Sequence, residues 1–279
     1  MGSGTRAIHL RYPATCCSCN TELARGAWAA LGRKTKAATC GACLESSASG
    51  VTETRLEVDR GTAGGSARRE FQRRHERREA DIRERHKRLS GVILALSSDP
   101  QSTTAWAVGA RGEETVGRNL EALRTEGIAV LHDRRIPGSK ANIDHIVISP
   151  AGVFIVDPKN YRGRVERRDV GGLLRTDLRL YVGGRDKTKL VEGMGRQVAA
   201  VRAVLAQDEK WSDVPVTPVL LFISPENWSL LNFRPLRFGE IYVLWEKALG
   251  KLLRAEAKIS SDAVPELERM LATALPSAR

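Results

Sequence analysis

"DHIVISPAGVFIVDPKN", residues 144–160, places two apolar runs rich in Ile, Val and Phe on either side of Ser149, Pro150, Ala151 and Gly152. That composition predicts a β-hairpin. If the turn is even in length and centred between Pro150 and Ala151, Asp144 stands directly opposite Asp157. Directly opposed residues hold their Cβ atoms about 4.5–5.5 Å apart. Lys159, two residues past Asp157, points to the same face. A slip of one residue would undo the arrangement, so the prediction depends on register. Ile146, Ile148, Val153 and Ile155 are expected on the aspartate side, and Ile143, Val147, Phe154 and Val156 on the other. Strands apolar on both faces belong inside a sheet. Two carboxylates there repel each other and lose hydration. A divalent cation at the sheet edge would compensate; an ion pair such as Asp157 with Lys159 is the structural alternative.

Around the hairpin, from about Trp106 to the end, the pattern alternates. It predicts a helix from "GEETVGRNLEALRTEG" (112–127), a strand near "AVLHDRRI" (129–136), a strand near "GRVERR" (163–168) and a further hairpin within 173–184. A helix at 187–207, strands "TPVLLFIS" (217–224) and "EIYVLW" (240–245), and C-terminal helices follow. The expected fold class is α/β, with a mixed central sheet flanked by helices. No GxGxxG and no GxxxxGK[ST] occurs, which argues against dinucleotide and P-loop chemistry. In the first helix the apolar stripe is Val116, Leu120 and Leu123, which puts Glu113 beside the stripe and Glu114 on the opposite side. Glu113 thus offers a third acid to the hairpin; a first-turn residue favoured by the helix dipole is its structural alternative. Gln197 lies beside the stripe of Leu190, Met194, Val198 and Val201. His145 falls on the face away from the aspartates and reads as structural. In "SPENWSLLNFRPLRFGE" (224–240), Trp228, Phe233 and Phe238 stand among basic residues, where packing on the sheet edge is weighed against base stacking.

Two CxxC pairs, Cys16/Cys19 and Cys40/Cys43, stand twenty residues apart near the N-terminus. This is the spacing of a four-cysteine zinc site in which two knuckles each present two thiolates. The segment between them has the composition of a short hairpin, and Cys17 is a surplus thiol able to stand in for Cys16. So small a module has almost no core, so the metal is expected to supply its folding energy. Arg25, Arg33, Lys34 and Lys36 give it a basic face, and a docking or spacer role is open beside nucleic-acid contact. After a Gly/Ser-rich linker, residues 68–88 hold ten basic against five acidic residues. Glu70/Arg74, Glu79/Arg83, Asp81/Arg85 and Glu84/Arg88 are spaced as favourable helix pairs. With Phe71, Ile82 and Leu89 as its strongly apolar residues, the segment predicts a solvated helix. A connecting rod, a nucleic-acid-tracking arm and a weak dimerising helix all fit it.

The whole chain has 279 residues, 45 Lys and Arg, and a formal charge of +12. An Arg-rich excess favours a polyanionic partner, nucleic acid first. No run approaches the roughly 20 apolar residues of a membrane span, and no signal-peptide pattern is seen, so a soluble cytoplasmic protein is expected. The expected segments are a zinc ribbon at 10–48, linker and charged helix at 49–100, the α/β domain at 106–250 and a helical extension at 251–279.

The segment "NIDHIVISPAGVFIVDPKNYRG" (142–163), preceded by "GARGEE" (109–114) and followed by "GRQVAAVRAVL" (195–205), resembles the nuclease-related domain (NERD) family of the PD-(D/E)xK nuclease superfamily. The resemblance covers roughly residues 106–250 and implies a restriction-endonuclease-like core. It implies that Asp144 and Asp157 are metal-binding acids, Lys159 the motif lysine, Glu113 the helix acid and Gln197 the glutamine of the following helix. It further implies a nuclease that uses Mg²⁺ or Mn²⁺ to hydrolyse phosphodiesters. Pro158 between acid and lysine departs from the pattern, and its missing N–H suggests an edge or bulge there. Mg²⁺ suits a few carboxylates plus waters. Lys140, Tyr161, Arg162 and Arg164 flank these residues as candidate grips on the backbone. The expected partner is nucleic acid, DNA before RNA, with no membrane, and the charged helix permits a homodimer. A nucleic-acid-binding or regulatory protein with a non-hydrolysing domain is the alternative.

Overall fold

The computed structural model describes residues 5–32, 37–41, 43, 58–87, 101–139, 141–172, 175–224, 227–228 and 234–278. Arg33, Lys34, Lys36, Arg88, Leu89, Lys140 and Phe233 lie outside the described residues. The chain divides into two compact units, Met1–Glu57 and Val58–Arg279.

The first unit is built from β1 (Thr5–His9), β2 (Ala14–Thr15), β3 (Glu22–Leu23), β4 (Trp28–Gly32) and β5 (Ala38–Cys40). β1, β4 and β5 form one antiparallel sheet, and β2 pairs with β3. The hairpin expected between the two CxxC pairs is β4–β5, with Ala29 opposite Cys40. Its apolar cluster is small: Leu10, Ala29 and Ala38 are buried, with Leu23 and Leu31 partly so.

The second unit starts with helices α1 (Gly65–Arg85) and α2 (Gln101–Ala122). Next come β6 (Ala129–Arg135), β7 (Asn142–Ser149), β8 (Gly152–Lys159), β9 (Val165–Asp169), β10 (Leu178–Val182) and β11 (Arg185–Asp186). The chain continues through α3 (Thr188–Leu205), β12 (Val216–Phe222), β13 (Leu236–Phe238), β14 (Ile241–Leu244), α4 (Glu246–Leu253) and α5 (Ala263–Ala274). Six strands make a mixed sheet in the order β13-β14-β12-β8-β7-β6. β12 runs parallel to β8 and β14, while β6–β7–β8 is an antiparallel meander. β9, β10 and β11 form a separate small sheet, which includes the second expected hairpin. The protein is therefore α/β, with a mixed six-stranded sheet flanked by helices.

The hairpin adopts the expected register, from Ser149 opposite Gly152 to His145 opposite Val156. Ile146, Ile148, Val153 and Ile155 join Met194, Val201 and Leu205 of α3 and Leu267 and Leu271 of α5 in one core layer. Val147, Phe154 and Val156 join Val116 and Leu120 of α2 and Leu249 and Leu253 of α4 in the other. Each such side chain taken wholly out of water contributes about 1.5–3 kcal/mol, so the hairpin is anchored from both sides. Ile143 departs from expectation by packing with Ile146 and Ile148. The cause lies in β6, where Asp133 takes a left-handed conformation (φ 49°) and interrupts the ladder between His132–His145 and Arg134–Ile143. Leu236–Phe238, within the aromatic fragment 224–240, is the edge strand β13 with Phe238 buried, in keeping with the sheet-edge alternative.

The first helix of the α/β region already runs from Gln101, well before the expected 112, and Gly109 and Gly112 sit inside it. Gly112 and Gly117 serve close packing, whereas Gly109 faces open space. A Cβ on Gly117 would overlap Ala63 Cβ and meet His132 Cε1 at 3.5 Å and His145 Cε1 at 3.6 Å. Gly117→Ala gains about 1 kcal/mol of helix propensity but overpacks a rigid contact, at a cost of about 1–3 kcal/mol. The expected net result is destabilisation by up to about 2 kcal/mol in chemical denaturation; a stabilised variant would show that α2 can move away.

Arg134 is fully buried, and its guanidinium donates to the carbonyls of Leu275 (2.6 Å), Ala272 (2.7 Å) and Asp59 (2.7 Å). It thereby satisfies the last carbonyls of α5, which lack partners within the helix. α5 is thus integral to the sheet's core. α1 packs on α2 through buried Ala67, the Arg68–Glu114 ion pair and Arg74 over the Trp106 ring, while its far half is largely exposed.

Candidate active site

Three elements bring the acids together. The β7–β8 ladder ends at His145–Val156, and continuing it by one residue sets Asp144 against Asp157. β8 runs on beside β12 alone, with Leu220 opposite Asp157, Leu221 opposite Pro158 and Phe222 opposite Lys159. Pro158 therefore falls where β8 has already become an edge on its β7 side, so its missing N–H breaks no bond to β7. α2 passes close to these strand ends because Gly112 has no side chain. A Cβ there would lie 3.0 Å from Ile223 Cδ1 and 3.5 Å from Asn160 Cβ. One residue on, Glu113 reaches the acids from the interior of α2, which removes the first-turn alternative for it.

The charges interact strongly. Burial pushes the Asp144 carboxyl well above its ordinary range, with Asp157 and Glu113 adding to the effect and Lys159 opposing it. Burial also raises Glu113 to about 7; Lys159 opposes this, while Asp157 and Asp133 reinforce it. Lys159 Nζ is bonded to Asp157 Oδ1. Burial disfavours the Lys159 charge, but Asp157 and Asp144 outweigh it and raise its pKa. Three carboxylates against one ammonium leave an excess of negative charge with little water to solvate it. Oxygen donors with this surplus suit a hard divalent cation such as Mg²⁺ or Mn²⁺. Their oxygens are not gathered as tightly as the cysteine sulfurs described below, and Lys159 occupies Asp157.

The raised Glu113 value has a stability consequence. Ionising Glu113 costs more in the folded than in the unfolded chain, so its contribution favours folding at low pH and is lost as pH rises from about 4.5 through about 7. Glu113→Gln removes that penalty. In urea unfolding without added divalent metal, the variant is expected to match wild type near pH 4 and exceed it at pH 8 by on the order of 2 kcal/mol. Loss of stability at pH 8 would show that the Glu113 charge is already compensated.

The other candidate residues are placed less uniformly. Tyr161 is partly buried against Phe222, with Lys187 Nζ 5.1 Å from its ring centre. Arg162 and Arg164 are exposed just beyond it, Arg164 lying 4.0 Å from Glu166. Lys140 lies outside the described residues. Gln197 is not joined to the acids among the described residues. Its Nε2 lies 3.8 Å from Met194 Sδ, and its buried Oε1 has no hydrogen-bond partner. Trp228 lies tilted against Trp245 (5.0 Å between ring centres) and meets Phe222 edge-on, so this aromatic packs on the sheet edge.

His145 is structural, as expected, but its partners and several other polar residues around the site escaped the sequence reading. Fully buried His145 lies 2.8 Å from His132, Nδ1 to Nδ1, and His132 Nε2 lies 2.9 Å from Glu121 Oε1. Burial lowers the pKa of both histidines. With His132 donating to Glu121 and His145 donating to His132, the unpartnered His145 Nε2 is a lone pair rather than an N–H. The chain ties α2 to β6 and β7, opposite the acids. Asp133 accepts hydrogen bonds from Ser66 N, Ser66 Oγ and Asn142 Nδ2, and pairs with Arg69, which fixes the first turn of α1 beside the cluster. Asn227, fully buried, donates to the carbonyls of Tyr161 (2.8 Å) and Gly163 (2.6 Å) and so holds the loop that follows Lys159.

In the first unit, Cys16, Cys19, Cys40 and Cys43 bring their sulfurs within 4.8 Å of one another. Among the described residues, this is the one group of three or more potential metal ligands gathered so closely. The Cys40 N–H donates to Cys16 Sγ (3.3 Å) and the Cys43 N–H to Cys40 Sγ (3.4 Å). The first knuckle closes through Asn20 N–H to the Cys16 carbonyl, with Asn20 left-handed at φ 57°. The Cys40 N–H lowers the Cys16 thiol to about 6, while neighbouring Cys40 and Cys19 push Cys43 up to about 12. Four thiols this close cannot all ionise unaided, and a divalent ion removes the conflict. The group is able to bind zinc. Exposed Cys17 turns away toward Thr39 Oγ1 (3.4 Å), which leaves Cys16 as the ligand.

No helix among the described residues is long and apolar enough to cross a membrane. Residues 108–223 match the family model described as nuclease-related domain, NERD. An uncharacterized protein of Bacillus anthracis is 37% identical over 78 residues, a stretch covering 27% of this chain and 37% of that protein. No solved structure matches the chain. The matched residues contain Glu113, the whole hairpin with Asp144, Asp157 and Lys159, and Gln197, so this chain carries a NERD domain around its acid cluster.

Proposed function

We propose that the protein is a divalent-metal-dependent nuclease that hydrolyses phosphodiester bonds at the Glu113–Asp144–Asp157–Lys159 cluster. The observation that carries this reading is the joint electrostatic state of the cluster. Two of its acids are held above their ordinary range, and Asp157 and Asp144 keep Lys159 charged. Such perturbed groups are characteristic of functional sites. A bound Mg²⁺ or Mn²⁺, held by Asp144, Asp157 and Glu113, would neutralise phosphoryl charge and acidify a water. Lys159 places a fixed positive charge where negative charge develops on the phosphoryl oxygens. Glu113, raised to about 7 by burial and the neighbouring acids, would be held ionised by the bound cation, so that metal binding releases its proton near neutral pH. Arg162 and Arg164, exposed beside the cluster, suit the flanking phosphates.

The Lys159–Asp157 ion pair is a feature that a non-hydrolysing nucleic-acid-binding domain would also keep. Incubating the zinc-loaded chain with labelled single- and double-stranded DNA and RNA, with Mg²⁺, with Mn²⁺ and without either, separates the two readings. The nuclease reading expects cleavage only with added metal, and the cleaved polymer identifies the substrate. Binding without cleavage on every substrate would leave the non-hydrolysing reading in its place.

A further inference from the structure

We propose that the arginine face of α1 is a docking track for a single strand of nucleic acid, its phosphodiester backbone leading toward the acid cluster. A groove of about 700 Å³ between α1 and the start of α2 is lined by Arg73, Arg74, Arg77, Arg78 and Arg85, against the acids Glu70 and Asp81. Glu70 is shared by Arg73 and Arg74, while Arg77 and Arg85 form no ion pair among the described residues. A second groove, about 580 Å³, shares Glu70 and Arg73 with the first and continues past Arg69 and Arg135 to Asn142, two residues before Asp144. The two grooves thus form one basic path that starts outside residues 108–223 and ends beside the carboxylates.

The partner's chemistry follows from spacing and composition. Arginines four apart, such as Arg73 and Arg77, repeat along a helix every 6 Å or so, about 1.5 Å per residue. The row Arg69, Arg73 and Arg77 is regular, resumes at Arg85 after Asp81, and matches a row of phosphates, each able to take two hydrogen bonds. Trp106 does not line the groove but lies next to it, 39% exposed and with groove residue Arg74 5.5 Å over one face of its ring, which leaves its other edge and face as the nearest aromatic surface for an unpaired base. A membrane-surface helix would carry a broad apolar face opposite its charges, and the one buried residue of α1 is Ala67. Self-pairing would set arginine against arginine.

The inference rests on the nuclease reading only for where the strand leads, so binding is measured without cleavage. The full chain and Arg77→Ala/Arg85→Ala are titrated with labelled oligo(dT) by anisotropy, over a range of salt and without added divalent metal. Arg77→Lys/Arg85→Lys tests for retention of charge, and melting curves confirm folding. Loss of two phosphate contacts should weaken binding about tenfold and reduce the salt slope by about 1.4, with the lysine variant largely restored. Unchanged affinity and slope in the alanine variant would overturn the track. So would phosphatidylserine vesicles bound in place of oligo(dT), or a wild-type dimer that the variant dissolves while binding stays the same. A chain that binds through these arginines but never cleaves removes the nuclease reading alone. One that cleaves while ignoring them removes this inference alone.

Discussion

Stripping zinc from the full chain is expected to unfold residues 5–43 while leaving the six-stranded sheet intact. Among the described residues, the buried apolar cluster of the first unit is Leu10, Ala29 and Ala38, far smaller than a stretch of this length needs to offset its conformational entropy. Structural zinc bound by cysteines in small peptides contributes about 10–16 kcal/mol at neutral pH, larger than any other term available here. The second unit has its own two-layered core and no cysteine. Hydrogen exchange before and after chelation would therefore show protection lost across β1, β4 and β5 and kept across β7, β8 and β12. Cys40→Ser should act like chelation. Cys17→Ser should not, because its sulfur lies outside the cluster. Protection surviving in β4 and β5 after complete zinc loss would show that the strands fold without metal.

Lys159→Met should lower cleavage by about a hundredfold to a thousandfold, the usual cost of removing a preorganised charge from a developing oxyanion. It should leave the fold largely intact, since the Lys159 side chain is near a strand end and about a fifth exposed. The variant also frees Asp157 from its ion pair, so metal affinity should be kept or increased while turnover falls. That split separates a role in the reaction from a role in assembling the site. Lys159→Arg keeps the charge but spreads it over a planar fork, and should recover only part of the activity. Undiminished cleavage by Lys159→Met would assign the lysine to structure alone.

The central hairpin was legible because its two strands are apolar on both faces and its turn is short. The register had to be assumed from the turn, and the ladder meets that assumption from Ser149–Gly152 to His145–Val156, one residue short of Asp144 and Asp157. Glu113 was legible as core-facing from the spacing of Val116 and Leu120, although α2 runs back to at least Gln101, beyond the expected 112. The cysteine cluster followed from spacing. What was not legible depends on contacts distant in sequence. Arg134 caps α5 from 138 residues away, and Asn227 reaches back over 64 residues to Gly163. No local pattern announces such pairs. The left-handed Asp133 likewise sits in a run that reads as ordinary strand, and its conformation makes sense only beside Ser66 and Arg69.

The most direct test is single-turnover cleavage by wild type, Asp157→Ala and Asp144→Asn side by side in Mn²⁺, on whichever nucleic acid the wild type cuts. A metal-dependent nuclease built on this cluster predicts cleavage by wild type and loss of at least a hundredfold in both variants, with zinc content and melting unchanged. Cleavage by either variant at the wild-type rate would contradict it, because the hydrolysis would then be occurring somewhere other than the acids that β7 and β8 bring together.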